Sequence, residues 1–468
     1  MVKKILTKIV LPVILCVAVL FAFAGCDKDV PEKSGGKAII ILPGLMASGL
    51  YDSATNEPIW DPFYSSDLWF ANLVTPAGIN FSAVVPLLTD ESVLAALANI
   101  TANDYEGNEN SILNKLAVYE DGTPKVPSVV AADMNFNNPE RLRYGAINSY
   151  TEMYMAMEER YGEDYDVSVF NYDFRLDNRL GAAKLEQFIN GKNYEEVILL
   201  VHSNGGHVAS IYLANSQANR DKVSLVACFD SPLTGSLTAI TTLENVDKML
   251  DGVSTIIPPA FSGLLTTIEN AFEKQFKPLL NMYTVYQLLP SYYMLQSPQY
   301  TMSFDENGVT SNRTSFIMVD DEYVYFDSPN ELYEFYLSRE WAYMSNGEVR
   351  PAMSSWLDYV NASYVTMSDG RKVHSMSLVN THYIAGLDYP TSCTVKFETQ
   401  EDDTIKYTGT ETTTLGDSVV LFFGSTEGAA INKIHILRNA DHYDVAQNYN
   451  KFSKDMINEI IDDYIASK

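Results

Sequence analysis

The sequence predicts an α/β fold, a mostly parallel sheet with helices on both faces, interrupted by a largely helical insertion. Three observations predict it. Short, wholly apolar runs such as "AIIIL", "VILLV" and "LVACF" are bounded by turn residues and alternate with stretches of helical periodicity. Runs that are apolar at every position, rather than at every second one, belong to strands buried on both faces, as in a parallel sheet. Between residues 240 and 366 the chain becomes rich in Pro, Tyr, Leu and Met without strand alternation, as in "FKPLLNMYTVYQLLPSYYMLQ".

The elements follow in order. Residues 37–45, "KAIIILPGL", read as a buried strand ending in a Pro-Gly turn. The spacing predicts a helix over 144–161, a strand in "YDVSVFNYDF" (165–174) and a short helix in "LEQFINGK". "EEVILLVHS" (195–203) is the next buried strand, and "GHVASIYLANSQANR" carries the i, i+3, i+4 pattern of a helix directly after it. "KVSLVACFDSP" (222–232) is another strand. From Arg371 β character returns in "KVHSMSLVNTHYIAGL", "SVVLFFGS" and "INKIHILRN", and a helix over 447–467 closes the chain. The expected organisation is a core formed by residues 37–239 and 367–468. It carries a smaller insertion at about 52–140 and a cap over 240–366.

The amino-terminal stretch has a different character. Lys3, Lys4 and Lys8 precede the apolar run Ile9–Ala24, which is short for a spanning helix and contains Pro12. "FAGC" then leads into Cys26. The pattern resembles a bacterial lipoprotein signal. That resemblance implies removal of residues 1–25, lipid on Cys26, and a polar tether over 26–36 holding an exported domain off the cell membrane, outside the cytoplasm. A formal charge of −28 excludes nucleic acid as a partner, because phosphate backbones would be repelled. Cys228 and Cys393 leave a disulfide and two free thiols equally open. There is no CxxC and no H-x-x-x-H spacing, so neither a metal nor a cofactor is expected.

In "VILLVHSNGGHVAS" (197–210) a buried strand runs into Ser203 and a helix begins directly after it. This is the setting of the nucleophile in α/β hydrolases. There the serine sits on a sharp strand-to-helix turn and its neighbours two residues away must be small. Gly205 and Gly206 meet that demand, whereas Val201 stands where a glycine is usual. A serine hydroxyl needs a base to take its proton and an acid to orient that base, here in the chain order serine, acid, histidine. His374 and His382 lie in a strand-rich stretch and His435 inside an apolar strand. His442, in the polar turn "NADHYD" before the last helix, is the candidate base. Asp417 in "LGDSVV" is the candidate acid and Asp230 in "CFDSP" its rival, while "EDD" (401–403) reads as a solvated cluster. Backbone N–H groups of Leu45, in "LPGL", and Asn204 are the candidate oxyanion donors.

Four pieces, "IILPGLMASGL", "YDFR" (172–175), "HSNGG" and "GDSVV", together resemble the lecithin:cholesterol acyltransferase family, which includes lysosomal phospholipase A2 and phospholipid:diacylglycerol acyltransferases. In that family the corresponding pieces are a strand ending in "PG", "YDWR", "HSMGG" and "GDGTV". The resemblance spans residues 38–445 apart from the two insertions. It implies an α/β-hydrolase fold, an acyl-serine on Ser203, a triad completed by Asp417 and His442, and an oxyanion held by Leu45 and Asn204. It also implies a lipid or ester substrate, with the acyl group passing to water or an alcohol. Phe174, Asn204 and Val201 depart from the pattern without removing a catalytic group. The alternatives are an esterase of non-lipid esters and an inactive binding lipoprotein on the same fold. The apolar segments 72–100 and 253–297 are where an acyl groove would lie, or else pack on the core.

Overall fold

The computed structural model describes residues 36–60, 112–131, 147–244, 281–301 and 314–468, with short pieces at 74–75, 78–79, 303–305 and 308–310. Six strands build its central sheet: β1 Gly36–Leu42, β2 Asp166–Val169, β3 Tyr194–His202, β4 Val223–Phe229, β5 Thr381–Leu387 and β6 Ile434–Arg438. They lie in the order β6-β5-β4-β3-β1-β2, and every pairing is parallel. This is the α/β fold read from the apolar runs.

Strand geometry sends successive side chains to opposite faces, so runs with no polar position supply two cores at once. Ala38, Ile40, Leu42, Leu199 and Val201 face one layer. There they meet Leu185 and Ile189 of helix α2 (Asn178–Gly191) and Val208 and Leu213 of α3 (Gly205–Asn215). Ile39, Ile41, Ile198 and Leu200 face the other layer. They pack with Met153 and Met157 of α1 (Ile147–Tyr161) and Ile457 and Ile461 of α4 (Lys454–Ala466). Each fully buried Ile or Leu side chain contributes roughly 1.5–3 kcal/mol by removal from water.

Some boundaries depart from the sequence pattern. The run 165–174 is a strand only over Asp166–Val169, and its last residues turn away to build the site. "SVVLFFGS" is no strand. Asp417 accepts the N–H groups of Val419 and Val420 in a tight turn, and Phe422–Ser425 is helical. The closing helix is broken into Asp444–Gln447, Tyr449–Phe452 and α4.

A third core joins residues from 240–366, the expected cap, to a hairpin from the stretch 367–468 that the sequence pattern assigned to the central sheet. Phe316, Tyr336, Met353 and Trp356 pack there with Val395 and Phe397 of an antiparallel hairpin, Thr391–Thr399 with Ile405–Thr413. Ile317–Val319 pairs parallel with the first arm of that hairpin and Glu322–Tyr323 extends the sheet, giving four strands in all. "EDD" forms the exposed tip of the hairpin.

Candidate active site

The carboxyl ends of the central strands converge, and the backbone there is strained. Met46 follows β1, Ser203 follows β3, Asp230 follows β4, Asp388 follows β5 and Asn439 follows β6, and all five have positive φ. Non-glycine residues hold that conformation only where the surroundings impose it, and such positions gather at functional sites. In open α/β sheets the crevice outside the carboxyl ends of the strands is the ligand-binding end.

Ser203, with φ of 52°, is pinned by its N–H, which donates to the Phe229 carbonyl across to β4 at 3.0 Å. Its neighbours are fixed by close approach. A Cβ on Gly205 would lie 2.5 Å from the Leu42 carbonyl oxygen, and one on Gly206 would lie 2.4 Å from Ser231 Cβ. Val201 is accommodated one pleat earlier, between Leu42 on β1 and the small Cys228 on β4, with no exposure. The strand tolerates valine because a cysteine side chain leaves it room.

The structure brings the three residues named from sequence together. Ser203 Oγ is 2.9 Å from His442 Nε2, and His442 Nδ1 is 2.7 Å from Asp417 Oδ2. A carboxylate only accepts, so Nδ1 carries the imidazole proton and Nε2 is free to accept the Ser203 hydroxyl. Asp417 is fully buried, and its other oxygen accepts the Val419 and Val420 N–H groups at 2.8 and 2.6 Å. The His442 N–H donates to the Asp417 carbonyl at 2.9 Å, so backbone and side chain hold the same loop. The oxyanion candidates flank the serine from two loops. Among the described residues, neither the Leu45 nor the Asn204 N–H has a protein acceptor.

Several supporting residues carried no assigned role at the sequence level. His202 Nε2 is 2.8 Å from the His442 carbonyl oxygen and therefore donates to it. Its Nδ1 then accepts from Tyr150 Oη at 2.7 Å, and Tyr150 Oη accepts the Gly44 N–H at 2.8 Å. A single directional chain thus links the loop after β1, helix α1, the residue before the serine and the loop carrying the base. Burial drives the His202 pKa down to about 3, so the ring stays neutral and its tautomer is fixed. Gly44 lies against the nucleophile, since a Cβ there would meet Ser203 Cβ at 2.9 Å and Oγ at 3.3 Å.

"YDFR" and Asn204 form a second buried network. Tyr172 Oη donates to the Pro43 carbonyl at 2.8 Å, and Asp173 pairs with the fully buried Arg175 at 2.7 Å. Arg175 also donates to the Val129 carbonyl at 2.7 Å. Phe174 packs edge-on against Trp60 with ring centroids 6.2 Å apart. Asn204 exchanges two amide hydrogen bonds with Asn178 at the head of α2 and donates to Tyr172 Oη. The asparagine that departs from the family pattern therefore has a complete set of polar partners here.

Asp230, the rival acid, is also fully buried, beside Asp417. Ligand atoms of Asp230, Asp417 and His442 all lie within 4.8 Å of one another. That spacing would admit a cation, but Asp417 already accepts three N–H donors, one of them the imidazole. The other histidines weighed as the base lie elsewhere. His382 and His435 stack 5.2 Å apart near the amino ends of β5 and β6, and His374 is buried on a short strand. Cys228 and Cys393 are free thiols. The signal, Cys26 and most of the segments 72–100 and 253–297 lie outside the described residues. Of the latter segment, Tyr292, Leu295 and Gln296 line a cavity of about 270 Å³ in the cap with Tyr325 and Phe326.

No family model matches the chain, and no curated protein matches it. Among solved structures it is similar to a chain of "The crystal structure of Tle4-Tli4 complex", with 13% identity over 88% of this chain and 95% of that one and a TM-score of 0.45.

Proposed function

We propose that the chain is a serine-dependent acyl hydrolase or O-acyltransferase acting on lipid esters, of the lecithin:cholesterol acyltransferase-like kind, anchored to a membrane through lipidated Cys26. The observation that carries the catalytic reading is the hydrogen-bonded string Ser203–His442–Asp417 on a positive-φ turn at the carboxyl end of the sheet. His442 Nε2 takes the hydroxyl proton as Ser203 Oγ attacks the ester carbonyl, and the imidazolium that forms is balanced by Asp417. The Leu45 and Asn204 N–H groups receive the oxyanion. His442 then gives the proton to the departing alcohol as the ester C–O bond breaks, leaving an acyl-serine. Water or an acceptor alcohol, deprotonated by His442, takes the acyl group and Ser203 regains its proton.

The test is fluorophosphonate labelling in membrane and soluble fractions. A label that follows the membrane fraction and vanishes in Ser203→Ala is expected, on a chain that incorporates labelled palmitate in the wild type but not in Cys26→Ala, which keeps its apolar leader. Labelling that survives Ser203→Ala would remove the serine from its role, and a wild-type chain without palmitate, or palmitate undiminished in Cys26→Ala, would remove the anchor.

A further inference from the structure

We infer that Asp230 is a positioning residue for the base. It is a neutral carboxylic acid that donates a hydrogen bond to Asp417, so that a carboxyl–carboxylate pair carrying one negative charge stands behind His442. The inference rests on the proposed triad and deepens it.

Counting donors decides which partner keeps the proton. Asp417 accepts three N–H groups, from Val419, Val420 and His442 Nδ1. Asp230 accepts one, since its Oδ1 takes the Gly386 N–H at 2.8 Å. Its Oδ2 is buried without a hydrogen-bond donor among the described residues, yet it lies beside Asp417. Two ionised carboxylates in that position would be acceptor against acceptor, with no protein donor among the described residues to bridge them. Three N–H donors stabilise an anion far better than one, so Asp417 is the anion. A proton on Asp230 Oδ2 supplies the missing donor and removes the like-charge repulsion.

The geometry holds the two groups face to face. Asp230 has φ of 40°, fixed by its N–H donating to the Ile384 carbonyl at 2.9 Å. Gly386 leaves the space between them, because a Cβ there would come to 3.1 Å from Asp230 Oδ2 and 3.2 Å from Asp417 Cβ. The titratable groups that face Asp230 are Asp417 and the imidazole of His442, with Asp441 on the loop after β6 and the Cys228 thiol on its own strand. Burial first, then the Asp417 charge, pushes the Asp230 carboxyl well above the usual carboxylate range. The consequence for the base follows from charge. A hydrogen bond to Asp417 disperses its negative charge and weakens its hold on the imidazolium that forms during the reaction.

The experiment is the rate of Ser203 labelling by a fluorophosphonate across pH, in the full chain and in its Asp230→Ala and Asp230→Asn variants, with folding checked by thermal melting. Alanine is expected to slow labelling about tenfold and move the acid limb of the profile to higher pH, because Asp417 loses a donor. Asparagine, whose amide N–H donates where the acid O–H did, is expected to restore most of that rate with the acid limb within about 0.3 pH unit of wild type. An acid limb that falls by about one unit or more in Asp230→Asn would mean that a negative charge had been removed near the imidazole, and overturns the inference. An unchanged profile in Asp230→Ala also overturns it.

If neither variant folds, infrared spectroscopy of the wild type at a pH where other carboxyls are ionised decides the matter. A protonated-carboxyl C=O stretch must persist there, and its absence overturns the inference. Failure of folded wild type to label at all would instead strike the proposed function, and the infrared measurement would still judge the acid pair.

Discussion

Val201 occupies the position at which the nucleophile turn usually carries glycine, and its side chain is fully buried between Leu42 and Cys228. Restoring the glycine is therefore expected to harm the protein. Val201→Gly removes three carbons from a packed site and adds backbone freedom inside a strand, which costs about 2–4 kcal/mol of stability. Urea denaturation should report that loss while Ser203 labelling in the surviving folded protein stays near wild type. A Val201→Gly variant as stable as wild type would show that the site collapses freely. At this scale the juxtaposition of Ser203, His442 and Asp417 was legible, because they are chemically distinctive types in the order the proposed triad requires. Choosing Asp417 over Asp230 depended on local turn chemistry, "GD" before a polar-to-apolar step. Their adjacency was not legible, since it is made by the pairing of β4 with β5.

The helix α1 illustrates what an element contributes beyond its apolar stripe. Tyr150 lies on its buried face and reaches two loops, accepting the Gly44 N–H and donating to His202 Nδ1. Tyr150→Phe keeps the ring and its packing but removes both hydrogen bonds. That leaves one buried N–H and one buried ring nitrogen unpaired, at about 1–3 kcal/mol. Because the Gly44 loop carries the proposed Leu45 donor and His202 holds the His442 carbonyl, the effect belongs chiefly on rate. Labelling of Ser203 is expected to slow by about tenfold to a hundredfold with little change in far-UV dichroism. A wild-type labelling rate in Tyr150→Phe would show that the chain of hydrogen bonds has no catalytic consequence.

The period of the apolar residues made α1 legible, but its link to Gly44 spans 106 residues and leaves no local trace. The hairpin Thr391–Thr413 was hidden for another reason. "TSCTVKFET" and "IKYTGTETT" mix polar and apolar residues on a half-exposed sheet, whereas the buried central strands carry unbroken apolar runs.

On the scale of the whole molecule, cap and core meet around Glu427. Its carboxyl is within electrostatic reach of Tyr293 and Tyr364, from residues 240–366, and of Tyr383 of β5, and it adds to the effect of burial in raising all three hydroxyls above the usual tyrosine range. Burial pushes Glu427 from the ordinary 4.5 up to about 7, so the folded protein holds this proton more tightly than the unfolded chain. Folded protein binding more protons means that stability falls as pH rises. The contribution is complete below about pH 4.5, is lost progressively up to about pH 7, and is constant above that. Glu427→Gln is neutral throughout and lacks this dependence. It is expected to match wild type near pH 4.5 and to be more stable near pH 8 by roughly 2–3 kcal/mol. Asp230 tilts the curve in the same direction, but it is present in both proteins and cancels in the comparison. Urea midpoints at the two pH values provide the measurement. Parallel pH slopes for the two proteins would mean that the Glu427 carboxyl is solvated in the folded state, and that cap and core do not close over it.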